Sequence, residues 1–479
     1  MKKNIISLLL LIVLLPGFGF AGCASPEVQS KTEPIELEYW RVWDGPDAFE
    51  QIIANYNAIH PFVKINYKKF RYEEFEQKLL EGFATDRGPD IFSIQNTWLR
   101  KYQNQGLPLP MPPTISMVYP VVQGTIKKET VMQIKETKSI SLKEIKNNFP
   151  DLVYDDVIIN VNENNKITPT VYGLPLSIDT LAMYYNKDLF NNAGITDPSE
   201  FWNGKFQNDV KKLNKQDNKG VIIQSAVSLG GSKNIDRSID ILSALMMQSG
   251  AEMQDDSGNI KFNMAPSTAS QNNYIPGLDA LRFYTDFANP GKEIYSWNKD
   301  MDSNLNLFAD GKLAIMFGYS YQIPQIKAKS PKLNFAIAKL PQIEGNPQLN
   351  FANYWTEVVS KKILTNPENL KKGAQYAKNK ADAAWDFILF ETREDQAKIY
   401  LDKTQKPTAL KSLIDKQTED MQSGVFAEQI LTAKSWYKGN DANAMENIFQ
   451  DIIDQSVAMP DKIKEALDLG AQKVQQTIK

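Results

Sequence analysis

Apolar and polar residues follow five successive periodic patterns between residues 35 and 94. Residues 35–40, 63–67 and 91–94 have the alternating or short apolar character of β-strands. Between them, apolar side chains recur at helical spacing in two sets, Phe49, Ile52, Ile53, Tyr56 and Ile59, and then Tyr72, Phe75, Leu79 and Phe83. This strand-helix-strand-helix-strand order predicts parallel strands with right-handed crossovers, and therefore an α/β sheet with helices on both faces.

The later part of the chain is predicted to be mostly helical, with a few buried strands. We expect strands at 312–318, 335–338 and 355–359, and a short one at 260–262. Apolar stripes predict helices over 235–246, 278–288 and most of 381–479, with breaks near 404–407 and at Pro460. Residues 105–170 are less regular, with a helix at 142–149 and a hairpin tip at 162–166.

The first 22 residues have the pattern of an export signal. Two lysines precede an apolar run from Ile5 to Leu15, which is too short for a convincing membrane span. The segment Phe20-Ala21-Gly22-Cys23 resembles the bacterial lipobox, in which the cysteine is acylated and becomes the first residue of the mature chain. We therefore expect an exported protein, lipid-anchored through Cys23 at the outer face of the plasma membrane. The alternative is ordinary secretory cleavage near Ala21, which would leave a free thiol.

Composition narrows the functional classes. Cys23 is the only cysteine, so no intramolecular disulfide can form, and the fold must depend on its apolar core. The formal charge of −3 over 479 residues gives no sign of a nucleic-acid partner. Residues 24–34 are polar and lack aromatic side chains, which predicts a flexible tether between lipid and fold.

Four blocks in a fixed order resemble the extracellular solute-binding proteins of family 1, the maltose-binding-protein-like receptors of ABC importers. They are Tyr39–Asp44 running into a helix, Gly88–Ile91 after an amphipathic helix, Tyr172–Pro175 with Tyr184–Phe190, and Phe308–Gly318. Together they cover almost the whole mature chain.

This resemblance implies an α/β, two-lobe periplasmic-binding-protein-like (type II) fold with a ligand cleft between the lobes. After a signal peptide at 1–22 and a tether at 23–34, lobe 1 is expected to comprise 35–176 and 351–403. Lobe 2 is expected to comprise 177–350 and 404–479. The resemblance implies two partners, a small-molecule solute, for which we expect a sugar, and a membrane ABC permease. We expect a monomer without a cofactor, a metal or a catalytic residue.

Ligands of open α/β sheets bind beyond the carboxyl ends of the strands, which selects a set of loops. Flat aromatic rings mixed with amides, carboxylates and hydroxyls suit a saccharide, whose C–H face packs on a ring while its hydroxyls form hydrogen bonds. The predicted ligand-binding residues on these loops are Arg41, Trp43, Asp44, Asn96, Trp98, Ser177, Asp179, Tyr319, Tyr321 and Trp355. Core packing is the competing role for several of these aromatic residues.

Other functions stay open at this point. The solute could be a polyamine, a peptide, a polyol phosphate or iron rather than a mono- or oligosaccharide. The protein could also be an adhesion or signalling lipoprotein, or a secreted glycoside hydrolase, which needs two carboxylates at a set separation. The only histidine, His60, precedes Pro61 at a helix end, where we expect a solvated or capping role. One histidine is too few for a zinc receptor.

Overall fold

Two β-sheets surrounded by helices form the protein, as described by a computed structural model. It describes residues 25–478 except 126, 164, 267–273 and 421–422. The signal peptide and Cys23 lie outside the described residues. The strands are β1 Ile35–Val42, β2 Val63–Phe70, β3 Ile91–Gln95, β4 Thr114–Gln123, β5 Glu129–Lys138, β6 Ile158–Glu163, β7 Lys166–Val171, β8 Ile178–Thr180, β9 Ala182–Asn186, β10 Lys215–Gln216, β11 Ile222–Val227, β12 Leu313–Gly318, β13 Phe335–Ala338, β14 Asn350–Val359 and β15 Ala433–Lys434.

Helices account for most of the remaining described chain. They are α1 Pro26–Lys31, α2 Glu50–Ile59, α3 Tyr72–Ala84, α4 Leu99–Asn104, α5 Leu142–Asn148, α6 Asp151–Val157, α7 Lys187–Asn192, α8 Gly204–Leu213, α9 Ser238–Gln248, α10 Pro276–Asp286, α11 Asn304–Ala309, α12 Gln322–Lys329, α13 Pro367–Lys371, α14 Ala374–Glu391, α15 Glu394–Thr404, α16 Lys411–Thr418, α17 Gly424–Gln429, α18 Ala442–Ala458 and α19 Ile463–Ile478.

The first sheet has the strand order β15-β14-β3-β1-β2, and β8 also pairs with β14. Strand β1 runs parallel to both β2 and β3, as the sequence predicts, whereas β14 is antiparallel to β3. The second sheet has the order β10-β11-β12-β9-β13, in which β11 and β12 are parallel and β9 is antiparallel to its two neighbours. In both sheets the parallel strands place several carboxyl ends at one edge.

The chain passes between the two sheets more than once. Strand β8 pairs with β14 of the first sheet, and β9 of the second sheet begins two residues after β8 ends. The chain returns to the first sheet with β14, and Ser177 pairs with Thr408 on a later segment between α15 and α16. These adjacent passages are suited to act as a hinge, and the exact boundaries of the two lobes stay a prediction.

The Tyr184–Phe190 block has a local physical explanation. Strand β9 ends at Asn186, whose side-chain oxygen accepts hydrogen bonds from the backbone N–H groups of Asp188 and Leu189. Asn186 thereby caps α7 and satisfies donors that have no partner within the helix. The block is a strand followed directly by a capped helix.

Gly173, in another motif block, permits a close approach between backbones. A Cβ atom at this position would lie 2.7 Å from the Glu357 carbonyl oxygen and 2.8 Å from Thr356 Oγ1. The neighbouring Leu174 exchanges backbone hydrogen bonds of 3.1 and 2.9 Å with Glu357 on β14. A side chain at residue 173 would push this segment away from the sheet.

Residues 105–170 are more ordered than their pattern indicates. Strands β4 and β5 form a ten-pair antiparallel hairpin from Thr114 and Lys138 to its tip, which the sequence analysis did not predict. The predicted helix at 142–149 corresponds to α5, and the predicted hairpin tip lies between β6 and β7. Mixed charges along β5 obscured its alternation, because both faces of this strand are largely exposed.

Three local predictions were wrong. Residues 260–262 do not form a strand, since Ile260 makes only an isolated bridge to Gln254. The predicted tether contains the helix α1, and Lys31 at its end donates to the Ser116 carbonyl oxygen at 2.9 Å. His60 does terminate α2, but its ring is buried rather than solvated, with Nε2 3.1 Å from a carboxylate oxygen of Asp386.

Candidate functional site

Six of the ten predicted site residues follow strands that end at the facing edges of the two sheets. Trp43 and Asp44 come directly after β1, and Asn96 and Trp98 directly after β3. From the second sheet, Tyr319 and Tyr321 follow β12. Asp236 and Arg237, which the sequence analysis did not select, precede α9 in the connection that leaves β11. We call the space between these loops the cleft.

A row of nearly parallel aromatic rings crosses the cleft. The aromatic row consists of Trp98, Tyr72, Trp43, Tyr321 and Tyr319. Successive centroids lie 6.4, 5.4, 6.5 and 6.1 Å apart, with interplanar angles of 26°, 18°, 11° and 15°. These separations are typical of interacting aromatic pairs. The row therefore connects loops of the first sheet to loops of the second.

Two members of the row are open to solvent. Trp43 is 51% exposed and Tyr321 is 40% exposed, whereas Trp98 and Tyr319 are buried. The half-buried Trp355 packs edge-on against Tyr72 and Trp98, at centroid distances of 6.2 and 5.8 Å. Trp43 and Tyr321 are thus the rings best placed to stack on a ligand, one from each side of the cleft.

The Tyr319 hydroxyl is already occupied. It donates to Asp240 Oδ2 at 2.6 Å, and the Tyr319 carbonyl oxygen accepts from the Tyr184 hydroxyl. Tyr321 differs, because its hydroxyl lies on an accessible ring and donates to Asp236 Oδ2 at 3.1 Å. The same carboxylate oxygen accepts from Gln322 Nε2 at 2.9 Å, which fixes its orientation beside the cleft.

Arg41 and Asp44 lie beneath the surface, and their charged groups face the protein. The Arg41 guanidinium forms ion pairs with Glu357 at 3.2 Å and with Asp44 at 3.3 Å. Asp44 also accepts hydrogen bonds from Lys406 at 2.6 Å and from the Tyr400 hydroxyl at 2.9 Å. Burial opposes ionisation of Asp44, but Lys406 and Arg41 outweigh it and hold its pKa below the ordinary value. These contacts hold Asp44 in place and thereby support the adjacent Trp43.

Asp179 joins the two sheets. It lies on β8, paired with β14, and its carboxylate accepts from the Ser320 backbone N–H at 2.9 Å and from the Ser320 hydroxyl at 2.6 Å. Burial raises the pKa of Asp179 to about 6, although the hydrogen bonds from Ser320 oppose this change. Ser177, two residues earlier, lies on the passage between sheets and pairs with Thr408.

Asn96 lines a narrow cavity between the sheets. The cavity has a volume of about 370 Å³ including its open mouth, and α9, β14 and the start of α18 provide its other walls. Asn96 itself donates to Asp156 at 3.0 Å, and Asp156 also accepts from the Tyr354 hydroxyl at 2.9 Å. The amide is therefore held in place at the cavity wall.

Arg237 and Glu446 contribute charge to the same cavity. Arg237 makes two bonds to Asp240, at 2.7 and 2.8 Å, and one to Glu446 at 3.2 Å. Burial raises the pKa values of Glu446 and Asp236, although Arg237 opposes both changes. Arg237 has the left-handed backbone conformation, with φ of 58°, which is uncommon for a residue other than glycine and is often found at binding sites.

Sequence reasoning missed Tyr72, Asp236, Arg237 and Glu446. Tyr72 was assigned to the apolar face of a helix. It is the first residue of α3, and its ring stacks on Trp43. Asp236 and Arg237 lie in a long connection without a motif, and Glu446 lies on a C-terminal helix far away in sequence. The rule that ligands bind beyond the carboxyl ends of strands could have selected Asp236 and Arg237, which lie in the connection after β11.

Neither a metal-binding group of side chains nor a helix suited to span a membrane is found among the described residues. Within those ranges, no group of three or more histidine, cysteine or acidic side chains is placed to hold a metal ion. Across the same part of the chain, no helix has both the length and the apolar character needed to cross a membrane.

The fold and the facing loops define a two-lobe solute-binding architecture. Comparison with known families confirms it: residues 43–398 match the bacterial extracellular solute-binding proteins, and the chain belongs to this family. A putative binding protein of Brucella abortus is 24% identical over 336 residues, covering 68% of this chain and 67% of the relative. The maltodextrin-binding protein of Bacillus subtilis is 27% identical over 270 residues, covering 54% and 55%.

Solved structures confirm the predicted type II fold. A maltose-binding protein of Listeria monocytogenes, in complex with maltose, has a TM-score of 0.64 at 16% identity, over 92% of this chain and 97% of its own. A cyclo/maltodextrin-binding protein in complex with maltotetraose has a TM-score of 0.65 at 15% identity, over 93% and 98%. A solute-binding protein of Thermotoga lettingae bound to α-D-tagatose has a TM-score of 0.61 at 16% identity, over 93% and 100%. These similarities establish the fold of the chain.

Proposed function

We propose that this protein is the saccharide receptor of an ABC importer. It binds a neutral mono- or oligosaccharide in the cleft and presents it to a membrane permease. The proposal is supported by the family, by relatives that bind maltodextrin, and above all by the aromatic row. Binding in a cleft between two hinged lobes would couple ligand capture to closure.

The observation that carries the proposal is the pair formed by Trp43 and Tyr321. Their rings are parallel within 11° and belong to opposite sides of the cleft, and both are solvent-accessible. A pyranose or furanose ring stacks through its C–H face on such a surface, while nearby hydrogen-bonding groups recognise its hydroxyls. The Asp236 carboxylate next to Tyr321 is suited to accept hydrogen bonds from those hydroxyls.

A cationic solute such as a polyamine is the second candidate. The Asp236 carboxylate accepts from the Tyr321 hydroxyl, the Asp179 carboxylate accepts from the adjacent Ser320, and Glu446 pairs with Arg237. Burial raises the pKa values of these three acids, and an ammonium group bound between aromatic rings would favour their ionised form. A neutral sugar remains favoured because Arg237 already pairs with Glu446.

A calorimetric screen of neutral sugars, spermidine, short peptides, ferric citrate and glycerol phosphate distinguishes these candidates. We expect a sugar to bind, and Trp43→Ala or Tyr321→Ala to weaken that binding by roughly 1–3 kcal/mol each through loss of stacking. Tyr274→Ala is the matched control, since Tyr274 is an exposed aromatic residue just before α10. Tight binding of a non-sugar with no sugar bound would contradict the saccharide proposal and leave the receptor proposal intact.

Anchoring through Cys23 is part of the same proposal. An acylated Cys23, separated from β1 by eleven residues that include α1, would hold the cleft close to the membrane and its permease. Two acyl chains provide stable anchoring, whereas a single chain binds only marginally. We also propose that the receptor acts as a monomer.

A further inference from the structure

Trp43 is presented by a strained three-residue turn. The Asp44 backbone N–H donates to the Val42 carbonyl oxygen at 2.8 Å, and Trp43 between them has a φ of 69°. An i to i+2 bond around a residue with positive φ is the rarer and strained form of the γ-turn. A bulky aromatic residue adopts it only where the surroundings impose it. Specific contacts must therefore hold this turn.

Those contacts converge on Asp44, the residue after the turn. Its carbonyl oxygen accepts from the Tyr67 hydroxyl at 2.8 Å. One carboxylate oxygen accepts from Lys406 Nζ at 2.6 Å, and the other accepts from Tyr400 at 2.9 Å and lies 3.3 Å from Arg41. Asp44 is only 8% exposed, so these bonds act with little competition from water. We call Asp44 and Lys406 the turn clamp.

Lys406 lies far from Asp44 in sequence, in a segment that contacts the passage between the two sheets. It lies 362 residues after Asp44, in the segment between α15 and α16 that pairs with Ser177 through Thr408. Gln417 Nε2 holds the Lys406 carbonyl oxygen at 3.0 Å, and the left-handed Gln405 precedes it with φ of 56°. The lysine that fixes Asp44 is thus built into a passage between the two sheets.

We propose that Lys406 is a positioning residue for ligand binding, which acts through Asp44 to hold the Trp43 ring in the cleft. This inference rests on the proposed role of Trp43 as a stacking surface. It assigns a role in ligand binding to a lysine whose own ammonium group contacts Asp44. It also links ring presentation to the chain passages, because any movement of the 405–410 segment moves the Lys406 ammonium relative to Asp44.

The test is a double-mutant cycle between Lys406 and Trp43. The probe is the tightest-binding sugar from a panel that includes maltotetraose, mannobiose and tagatose, measured by calorimetry. Lys406→Met should raise the Kd about tenfold in the wild-type background, as expected for coupled neighbours. In the Trp43→Ala background the same change should alter the Kd by no more than about twofold. Asp44 retains Arg41 and Tyr400 in both variants, which supports folding.

A second readout needs no ligand. Trp43 is the only one of the eight tryptophans that is more than half exposed, so it dominates quenching by acrylamide. Lys406→Met should raise the quenching constant, and Trp43→Phe should abolish that rise. Lys406→Arg should restore both readouts, because it keeps the positive charge. Lys403→Met is the control, since its ion pair with Asp47 at 3.0 Å is exposed and close in sequence to the clamp.

The two readouts separate the possible failures. An equal loss of affinity in both backgrounds would show general destabilisation and overturn the positioning role, as would unchanged quenching. If no sugar binds the wild-type protein, the saccharide proposal fails, and the quenching experiment alone decides whether Lys406 holds the Trp43 turn.

Discussion

Replacing Asp179 with asparagine should change how the stability of this protein depends on pH. Asp179 lies where the two sheets meet, and burial raises its pKa to about 6 from an ordinary value of 3.8. Because the folded protein binds this proton more tightly than the unfolded chain does, the resulting stabilisation is complete below the unfolded pKa. It is then lost as the pH rises through the folded pKa.

The magnitude follows from the two pKa values. Their separation of about two corresponds to about 3 kcal/mol of free energy of unfolding. Asparagine has nearly the same shape and does not titrate. The free energy of unfolding of Asp179→Asn, minus that of the wild type, should therefore increase by up to about 3 kcal/mol between about pH 4 and pH 7. Hydrogen bonds lost from Ser320 add an offset that does not depend on pH.

Urea unfolding followed by circular dichroism at about pH 4, 5, 6 and 7 measures this difference. Taking the difference between two proteins removes the contribution of other titrating groups, such as the buried Glu357 and Glu391. Glu344→Gln removes an exposed carboxyl group in a loop and serves as the control. A flat or decreasing difference for Asp179→Asn would refute the argument that burial dominates at this carboxyl group.

Other predictions test packing, the buried histidine and the anchor. Gly173→Ala should lower the free energy of unfolding by about 1–3 kcal/mol in urea denaturation, because its Cβ would overlap the β14 backbone. Gly204→Ala, with open space around the Cβ position, should not. His60→Leu should cost about 1–3 kcal/mol by leaving the partly buried Asp386 without its imidazole partner, and equal unfolding midpoints would contradict this. Cys23→Ser should move the protein from the membrane to the soluble fraction, whereas unchanged fatty-acid labelling would disprove lipidation there.

Local patterns predicted the elements that form the first sheet and its helices. Strands β1 to β3 and helices α2 and α3 agree with the sequence analysis within a few residues, because each has a buried face with a clear period. The hairpin of β4 and β5 was missed because β5 is exposed on both faces and carries mixed charges, so it lacks a clear apolar alternation. The false strand at 260–262 shows that three alternating residues are too few to specify pairing.

For the site, the sequence indicated the loops better than the roles of their residues. The rule about strand ends selected Trp43 and Tyr321, which lie just after β1 and β12 in the structure. It could not distinguish them from Asp44, whose carboxylate turns inward to Lys406 and Tyr400. Side chains only one residue apart thus have different environments. The predicted ligand-binding role of each residue stays a prediction.

The sequence by itself determined the α/β class, the strand-helix order from β1 to β3, and the family, because these depend on periodicity and on motifs formed by neighbouring residues. Only the tertiary structure decided that Trp43 meets Tyr321, that Arg237 pairs with Glu446, and that Lys406 fixes Asp44 from 362 residues away. Such contacts depend on how two sheets and their connecting passages pack together, and no local pattern encodes the distance between residues so far apart in the chain.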